Sequence, residues 1–419
     1  MKILELPPYF YPEVVSGTHL ADDLYKHLSE CGIEMEIYSP SPSRGVSKTT
    51  REKYKRRKTE TLYNGKMTVH RFSLFKEYKL ILLRVIRYCL ISVIQYTKGS
   101  RADGIDLIYA ASTPPTQGLL CGIIKRKLNR RYGKNVPFVY NLQDVFPDSI
   151  VSAGITTKES ILWKVGRVIE DKTYRYADEI IVISNDIKTN IMNKGVPEKK
   201  IKVIPNWIDT NTVNSVSRIN NDLFYQFGLD INKFYVVYAG NIGLSQGVET
   251  LVDAAYILKE HEEIQFVVVG DGANKEKIEE KAQKTGNVHI FPMQPMEKVS
   301  EVYSMGDLCL VACKPGLGTG AVPSKTFSIM ATSTPVLLSF DRGTELWNLI
   351  EKNHCGICVE AGNADKLAEA ILFAYNNEDE LIKMGKKARE CVENKYSKKI
   401  GTEKYLSLFY EALNIQEHR

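Results

Sequence analysis

Lys314-Pro-Gly-Leu-Gly-Thr-Gly-Ala-Val-Pro-Ser-Lys325 stands between two apolar runs, Leu308–Val311 and Pro335–Leu338. The first run reads as a strand. Ser324 then reads as the N-cap of a helix carrying Phe327, Ile329 and Met330. Strand, loop, helix and strand in this order make one unit of a parallel α/β sheet. The glycines at 316, 318 and 320 permit positive φ and let bare backbone approach a ligand. A glycine loop feeding a helix N-terminus offers free N–H groups to a diphosphate, and Lys325 adds a full charge beside them. An ordinary strand-to-helix turn would need the same residues, so the rest of the chain has to decide.

The same alternation of short apolar runs and amphipathic stretches extends over nearly the whole chain. Strands are expected at Lys2–Leu6, Glu34–Ser39, Met67–Phe72, Ile105–Tyr109, Pro137–Asn141, Glu179–Ile183 and Ile201–Ile204. A second series follows at Phe234–Ala239, Gln265–Val269, His289–Phe291, Leu308–Val311, Val336–Ser339 and Gly356–Val359. Runs such as Phe266-Val-Val-Val-Gly270 have no polar alternation, as strands buried on both faces require. Residues 206–232 are polar and weakly patterned, and hold the expected connection between two α/β domains. Ligands of such sheets sit beyond the carboxyl ends of the strands, which places a site in the cleft between two facing domains.

At 419 residues the chain can bury two cores, and 43% apolar with 25% charged residues is the composition of a soluble globular protein. The net charge of +6 is unevenly spread: Arg51–Lys58, Arg84, Arg87 and Lys125–Arg131 all fall in the first third. A basic front half suits an anionic partner such as a membrane surface or phosphorylated lipid, and equally an ordinary solvated surface. Nucleic acid is not expected, because no recognised binding module accompanies the basic runs. The eight cysteines are scattered, several within apolar runs, as reduced buried thiols are. Cys355-Gly-Ile-Cys358 has the spacing of a metal pair but no second pair, and reads as the start of a strand. The amino-terminal apolar run is too short for a signal peptide.

Leu80–Tyr96 is the most apolar stretch. With 17 residues and two arginines inside it, it makes a poor membrane span. A helix lying in a membrane interface, and a helix buried against the sheet or a second subunit, both fit its pattern.

Three further strand-to-loop junctions carry chemistry: Ser16-Gly17-Thr18-His19, Tyr238-Ala-Gly240-Asn241-Ile242-Gly243 with Gln246-Gly247, and Asn141-Leu-Gln-Asp144. Singly, each is weak; a loop glycine is mostly a turn residue and a strand-end Asp mostly a cap. Together with Pro205-Asn-Trp-Ile-Asp209, Val269-Gly-Asp-Gly272, Ala321-Val-Pro-Ser-Lys325 and Ala331-Thr-Ser-Thr-Pro-Val336, they resemble the landmarks of glycosyltransferase family 4. The nearest resemblance is to bacterial enzymes of O-antigen and capsule assembly that add N-acetylated deoxyhexosamines such as N-acetylfucosamine.

That resemblance implies the retaining GT-B fold, two Rossmann-like doubly wound domains facing across a cleft. Residues 1–205 would bind acceptor, residues 206–397 nucleotide sugar, and a last helix in 398–419 would pack back on the first domain. It implies a UDP-sugar as substrate, with no cofactor and no metal. The basic first third and Leu80–Tyr96 suggest a polyprenyl-diphosphate-linked saccharide as acceptor, and a cytoplasmic enzyme held peripherally at the inner membrane face through both. Residue by residue, Gly17 would approach the diphosphate from the first domain. Gly318, Gly320, Ser324 and Lys325 would hold it from the second. Met293, within Phe291–Gln294, would line the base pocket, and Asp144 would face the sugar or the acceptor hydroxyl.

The departures from the family pattern are as specific. Asn241 and Gln246 stand where an Arg and a Lys are customary, and Gly320 and Ser328 where a glutamate pair is customary. A leaving diphosphate still needs positive charge. Lys325 is therefore expected to be its principal charged ligand, with Lys314 or Arg342 as helpers. Glu345 is a substitute acceptor for sugar or ribose hydroxyls, unless Thr344 and Glu345 simply start the next helix. A non-hydrolysing UDP-sugar epimerase of the same fold and an inactive nucleotide-sugar-binding scaffold are the alternative functions.

Overall fold

The computed structural model describes residues 1–13, 17–78, 80–152, 154–320 and 322–417. They form two compact units, Met1–Ile204 with Thr402–Arg419, and Pro205–Gly401.

The first unit holds β1 (Lys2–Glu5), β2 (Glu34–Pro40), β3 (Thr59–Leu62), β4 (Met67–Phe72), β5 (Leu107–Ala111), β6 (Phe138–Leu142), β7 (Glu179–Val182) and β8 (Ile201–Val203) in one sheet of order β3-β4-β2-β1-β5-β6-β7-β8. Every pairing is parallel except β3 with β4. Leu4, Ile108, Phe138 and Ile180 of neighbouring strands join one buried cluster with Leu120, Ile124 and Leu128 of the helix Gln117–Tyr132. Tyr405 and Phe409 of the last helix, Lys398–Glu417, pack their rings 6.2 and 5.5 Å from that of Tyr109 on β5.

Strand β3 is the one that sequence patterning missed, because Thr59-Glu-Thr-Leu62 carries too little apolar weight. Its signal is the turn that follows, where Tyr63 and Asn64 take positive φ ahead of Gly65. An Asn-Gly pair between short runs is a hairpin signature. The polar edge strand is anchored instead by Glu60, which receives the buried Arg71 guanidinium of β4.

The second unit holds β9 (Phe234–Asn241), β10 (Ile264–Asp271), β11 (Val288–Phe291), β12 (Leu308–Ala312), β13 (Val336–Phe340) and β14 (Gly356–Glu360), all parallel, in the order β11-β10-β9-β12-β13-β14. Strand β10 shows how its apolar run is used. Phe266 and Val268 enter one core layer, Val267 and Val269 the other. The alternation of side chains along a strand sends them to opposite faces, and here both faces are covered. Cys358 lies in β14, as its strand-start reading required.

Residues 206–232 differ from the expected connection. Trp207, Ile208, Val213, Leu223 and Phe224 are buried in the second unit, and Asp222–Phe227 is a helix. A few large apolar side chains suffice to dock a segment whose other residues are polar.

Candidate functional site

In the second sheet β9, β12 and β13 are neighbours, so their carboxyl-end loops lie side by side: 242–247, 313–324 and 341–344. They are laced together by backbone. Lys314 N–H donates to Ser245 O at 2.9 Å, and Gly247, at φ +61°, abuts the Cys313 carbonyl. A side chain at Gly247 would be strained and would crowd that carbonyl.

Lys325 heads the helix Lys325–Ala331 and reaches back over β9. Its ammonium lies 3.9 Å from the centre of the Tyr238 ring and beside Gly240, where a Cβ would stand 3.0 Å from Nζ. This is cation–π distance. Lys325 has no carboxylate partner among the described residues, and desolvation alone pushes it down to about 7 from an ordinary 10.5. A cation held without a counter-ion at strand carboxyl ends is what an anionic ligand needs.

The glycine loop behaves differently from expectation. The amides of Gly316 and Gly318 are not free: they donate to the two oxygens of Asp341, at 2.9 and 2.7 Å. The protein's own carboxylate occupies the place reserved for a phosphate in the sequence reading. Gly318 is needed there for room, since its Cβ would press on Asp341 and Phe340. Gly320 closes a short 3-10 turn, Gly318–Gly320, and Ala321 lies outside the described residues.

The helix start is also corrected. Ser324 occupies the N-cap position but already has helical angles (φ −59°, ψ −27°), so its side chain makes no capping bond. Two first-turn amides are satisfied instead by backbone, Thr326 to Pro323 O at 3.0 Å and Phe327 to Ser324 O at 3.1 Å. Ser328 is buried on the core side of this helix. Ammonium charge, rather than free amides, is what this corner offers.

Asn241 and Gln246, standing where cations are customary, fold over Gly243. A side chain at 243 would collide with both amide groups. Gln246 Oε1 is buried and has no partner among the described residues. Of the expected helper cations, Lys314 Nζ stands 3.8 Å from Glu249, whose Oε1 also accepts from Asn274 at 2.8 Å; Arg342 is exposed. Met293 is 49% exposed beyond β11, where Phe291 stacks on Phe227 with ring centroids 3.8 Å apart. Thr344 caps the helix Glu345–Lys352 by accepting from Trp347 N–H at 3.3 Å, which makes Glu345 the first helical residue. That bond gives the helix-start reading of this pair a structural basis.

In the first unit, Gly17 has φ +81° and opens the helix Thr18–Glu30, with empty space where a Cβ would be. Its neighbour Ser16 lies outside the described residues. Asp144 follows β6 at the sheet's carboxyl edge. Desolvation raises its carboxyl, opposed by hydrogen bonds from Ser149 and the Val145 amide. A cavity of about 530 Å³ elsewhere in this unit, lined by Arg167, Asp171, Tyr174 and Lys194 among others, contains none of the expected residues. Two of its cations are already paired, Lys194 with Asp148 at 2.7 Å and Arg167 with Asp171 at 2.6 Å.

Among the described residues no three His, Cys, Asp or Glu side chains gather as metal ligands, and no helix is long and apolar enough to cross a membrane. Sequence reasoning missed Asp341 and the role of Tyr238. A tyrosine in the otherwise Val-rich β9 was the available signal for the second; Asp341 had none, because its partners are backbone amides.

Two family models match the chain: Glycosyltransferase Family 4 over residues 18–212 and Glycosyl transferases group 1 over residues 220–391. The putative colanic acid biosynthesis glycosyl transferase WcaI of Escherichia coli is 29% identical over 56% of this chain, but only 58% of that protein is covered. The probable glycosyltransferase WbjE of Pseudomonas aeruginosa is 27% identical over 73% of this chain and 74% of its own. A Campylobacter jejuni enzyme named for transfer of N-acetyl-D-galactosamine to a saccharide on PP-undecaprenol is 24% identical over 60% of this chain and 65% of its own. Among solved structures, sucrose-phosphate synthase from Thermosynechococcus elongatus superposes with TM-score 0.73 at 16% identity, over 99% of both chains. Anabaena HepE in complex with UDP-glucose does so with TM-score 0.70 at 17% identity, over 98% of this chain and 100% of its own. These structures share the GT-B architecture of two doubly wound parallel sheets. The chain belongs to the family 4 glycosyltransferases.

Proposed function

We propose that the protein moves an N-acetylated (deoxy)hexosamine, of which N-acetylfucosamine is one, from a UDP-sugar to a polyprenyl-diphosphate-linked saccharide in bacterial O-antigen or capsule assembly. The single observation that carries the donor half is Lys325, an ammonium with no counter-ion among the described residues, at the carboxyl ends of β9 and β12. As the bond from the anomeric carbon to the phosphate oxygen breaks, negative charge grows on the UDP β-phosphate. A nearby cation stabilises that charge more than it stabilises the ground state. The acceptor oxygen takes the anomeric carbon and gives its proton to the departing phosphate, so retention needs no covalent enzyme intermediate. UDP-sugar is substrate here, and no cofactor or metal enters the reading.

The relatives support this choice. The Campylobacter jejuni enzyme is named for an N-acetylhexosamine and a PP-undecaprenol acceptor, and the HepE structure holds UDP-glucose. In this reading Asp144 faces the sugar or the acceptor hydroxyl, and Gly17 the diphosphate. The helix Ile81–Gly99 exposes Leu82, Val85, Ile86 and Val93, which fits peripheral contact with a membrane.

Thermal denaturation with nucleotides tests the donor assignment. UDP and UDP-N-acetylhexosamines should raise the melting temperature more than ADP or GDP do, because a ligand bound only by the native state stabilises it. Lys325→Met should remove that rise. No shift with any uridine nucleotide would sink the proposal.

A further inference from the structure

The helix Lys325–Ala331, which carries the ammonium, is only seven residues long. So short a helix has little stability of its own and takes its position from what it packs against. Most of its last carbonyls are bonded locally. The Thr332 amide donates to Ser328 O at 3.3 Å and Ile329 O at 3.1 Å, and the Ser333 amide to Met330 O at 3.1 Å. Ser333 has φ +58°, so the backbone has turned away by then, and Ala331 O looks outside the helix for its donor.

That donor is Arg389, from the helix Glu378–Lys395. The same guanidinium donates to Thr210 O at 2.7 Å and to Val213 O at 2.9 Å, and its Nε to Glu393 at 2.6 Å. Three carbonyls and one carboxylate thus surround the planar fork. A cation at this end of a helix also complements the negative pole of its dipole.

Other residues press on the same side. Gly385 stands against the Ser333 carbonyl, where a Cβ would lie 2.1 Å away, and the Phe327 ring stacks on Tyr396 with centroids 4.5 Å apart. Ile208 N–H donates to Tyr396 O at 3.0 Å, and Lys398 N–H to Ile208 O at 2.9 Å. Lys398 Nζ pairs with Asp209 at 2.7 Å. The segment 208–213, where the chain enters the second unit, is therefore fixed to the same frame as the lysine helix. Arg389 touches both.

We propose that Arg389 is a positioning residue for Lys325: by holding Ala331 O against the backbone of 210–213, it sets the tilt of the short helix and keeps the Lys325 ammonium on the Tyr238 ring. This rests on the reading of Lys325 as the donor-phosphate ligand and adds to it the group that sets its place. Ala331 lies six residues from Lys325, about 9 Å along the axis, so a tilt at one end displaces the other. A misplacement of about 1 Å is enough to cost a charged contact most of its effect.

UDP binding to the full chain is measured by titration calorimetry from pH 6 to 9, with urea unfolding on the same samples. Arg389→Lys keeps the charge but not the fork, since an ammonium cannot span three carbonyls and a carboxylate as a planar guanidinium does. It should weaken UDP binding about 10-fold in the otherwise wild-type chain and less than about 2-fold in Lys325→Met, because residues acting through one group are not additive. The pH at which UDP affinity falls should move up from about 7, because an ammonium that leaves the ring regains water. Glu393→Gln spares the three carbonyl bonds and loosens only the fourth side of the fork. It should move affinity and pH profile in the same direction to a smaller extent, and it decides the matter should Arg389→Lys not fold. Equal weakening in both backgrounds, or a lower urea midpoint with UDP affinity and pH profile unchanged, overturns the proposal and leaves Arg389 to packing alone. Lys325→Met binding UDP as tightly as the wild type discards the donor reading itself, and this proposal with it.

Discussion

Lys325 and Tyr238 form a cation–π pair, ammonium to ring centre 3.9 Å, in which the tyrosine hydroxyl is turned to the carbonyl of Asn241 at 2.6 Å. The ring therefore supports the ammonium while its own polar end is fixed in the turn that closes β9. A ring stabilises a partly desolvated cation without neutralising it. The charge stays available to a ligand.

Replacing Lys325 separates activity from stability. Lys325→Met should lower kcat by about 100-fold or more, the usual scale for losing one group that stabilises developing charge. The urea midpoint should hold or rise, because a desolvated ammonium disfavours the fold. The proton linkage is explicit. Lys325 sits at about 7 when folded and near 10.5 when unfolded. Between these values the unfolded chain binds more protons, so this residue makes stability increase with pH from about 7 upward. UDP favours the ammonium form and binds with proton uptake, so its affinity should fall as pH rises through about 7. Calorimetry in buffers of different ionisation enthalpy measures that uptake, and wild-type UDP binding that ignores pH between 6 and 9 would contradict it.

Tyr238 is tested by two replacements. Tyr238→Phe keeps the ring and loses only the bond to Asn241 O, a change of about 1 kcal/mol in stability. Tyr238→Leu removes the support under Lys325. Turnover should be nearly kept in the first and reduced roughly 10-fold in the second, with the pH dependence of UDP binding displaced only in the second. Equal losses in both would assign the residue to packing alone.

Asp341 holds the glycine loop through Gly316 and Gly318. Asp341→Ala should leave two amides without their carboxylate and free the loop, raising the KM for UDP-sugar several-fold with less effect on kcat. Hydrogen exchange of residues 314–320 should quicken. Should the loop exchange as slowly as in the wild type, Asp341 is not its anchor.

The parallel sheets were readable because their strands are buried on both faces. Phe266-Val-Val-Val and Leu308-Cys-Leu-Val admit few other placements. The edge strand β3 was hidden because its stability comes from Glu60 and Arg71 rather than from apolar pattern. At the site, Lys325 was legible as a lone cation after a glycine loop. Two features were not. The occupation of the glycine amides by Asp341 depends on a contact between residues 316–318 and 341, which no local pattern encodes. The backbone-bonded turn at Pro323–Phe327 displaced the Ser324 cap, although Ser is a favoured cap residue, because local propensity yields to the path of the preceding loop.

Glu5, at the end of β1, supplies a second pH signal of opposite sign. It is buried, its Oε2 has no partner among the described residues, and desolvation raises it to about 8 from an ordinary 4.5, a hydrogen bond with Tyr25 opposing the shift. The folded chain thus keeps a proton that the unfolded chain releases above 4.5. Its stabilising effect is complete below that value and is lost as pH rises to about 8. In this window the wild type should lose on the order of 4 kcal/mol on account of Glu5. Glu5→Gln cannot titrate and should flatten that slope, whatever its absolute stability. Urea unfolding of both proteins at pH 5, 6.5 and 8 measures the difference. Parallel curves for wild type and variant would show that Glu5 is already ionised in the fold.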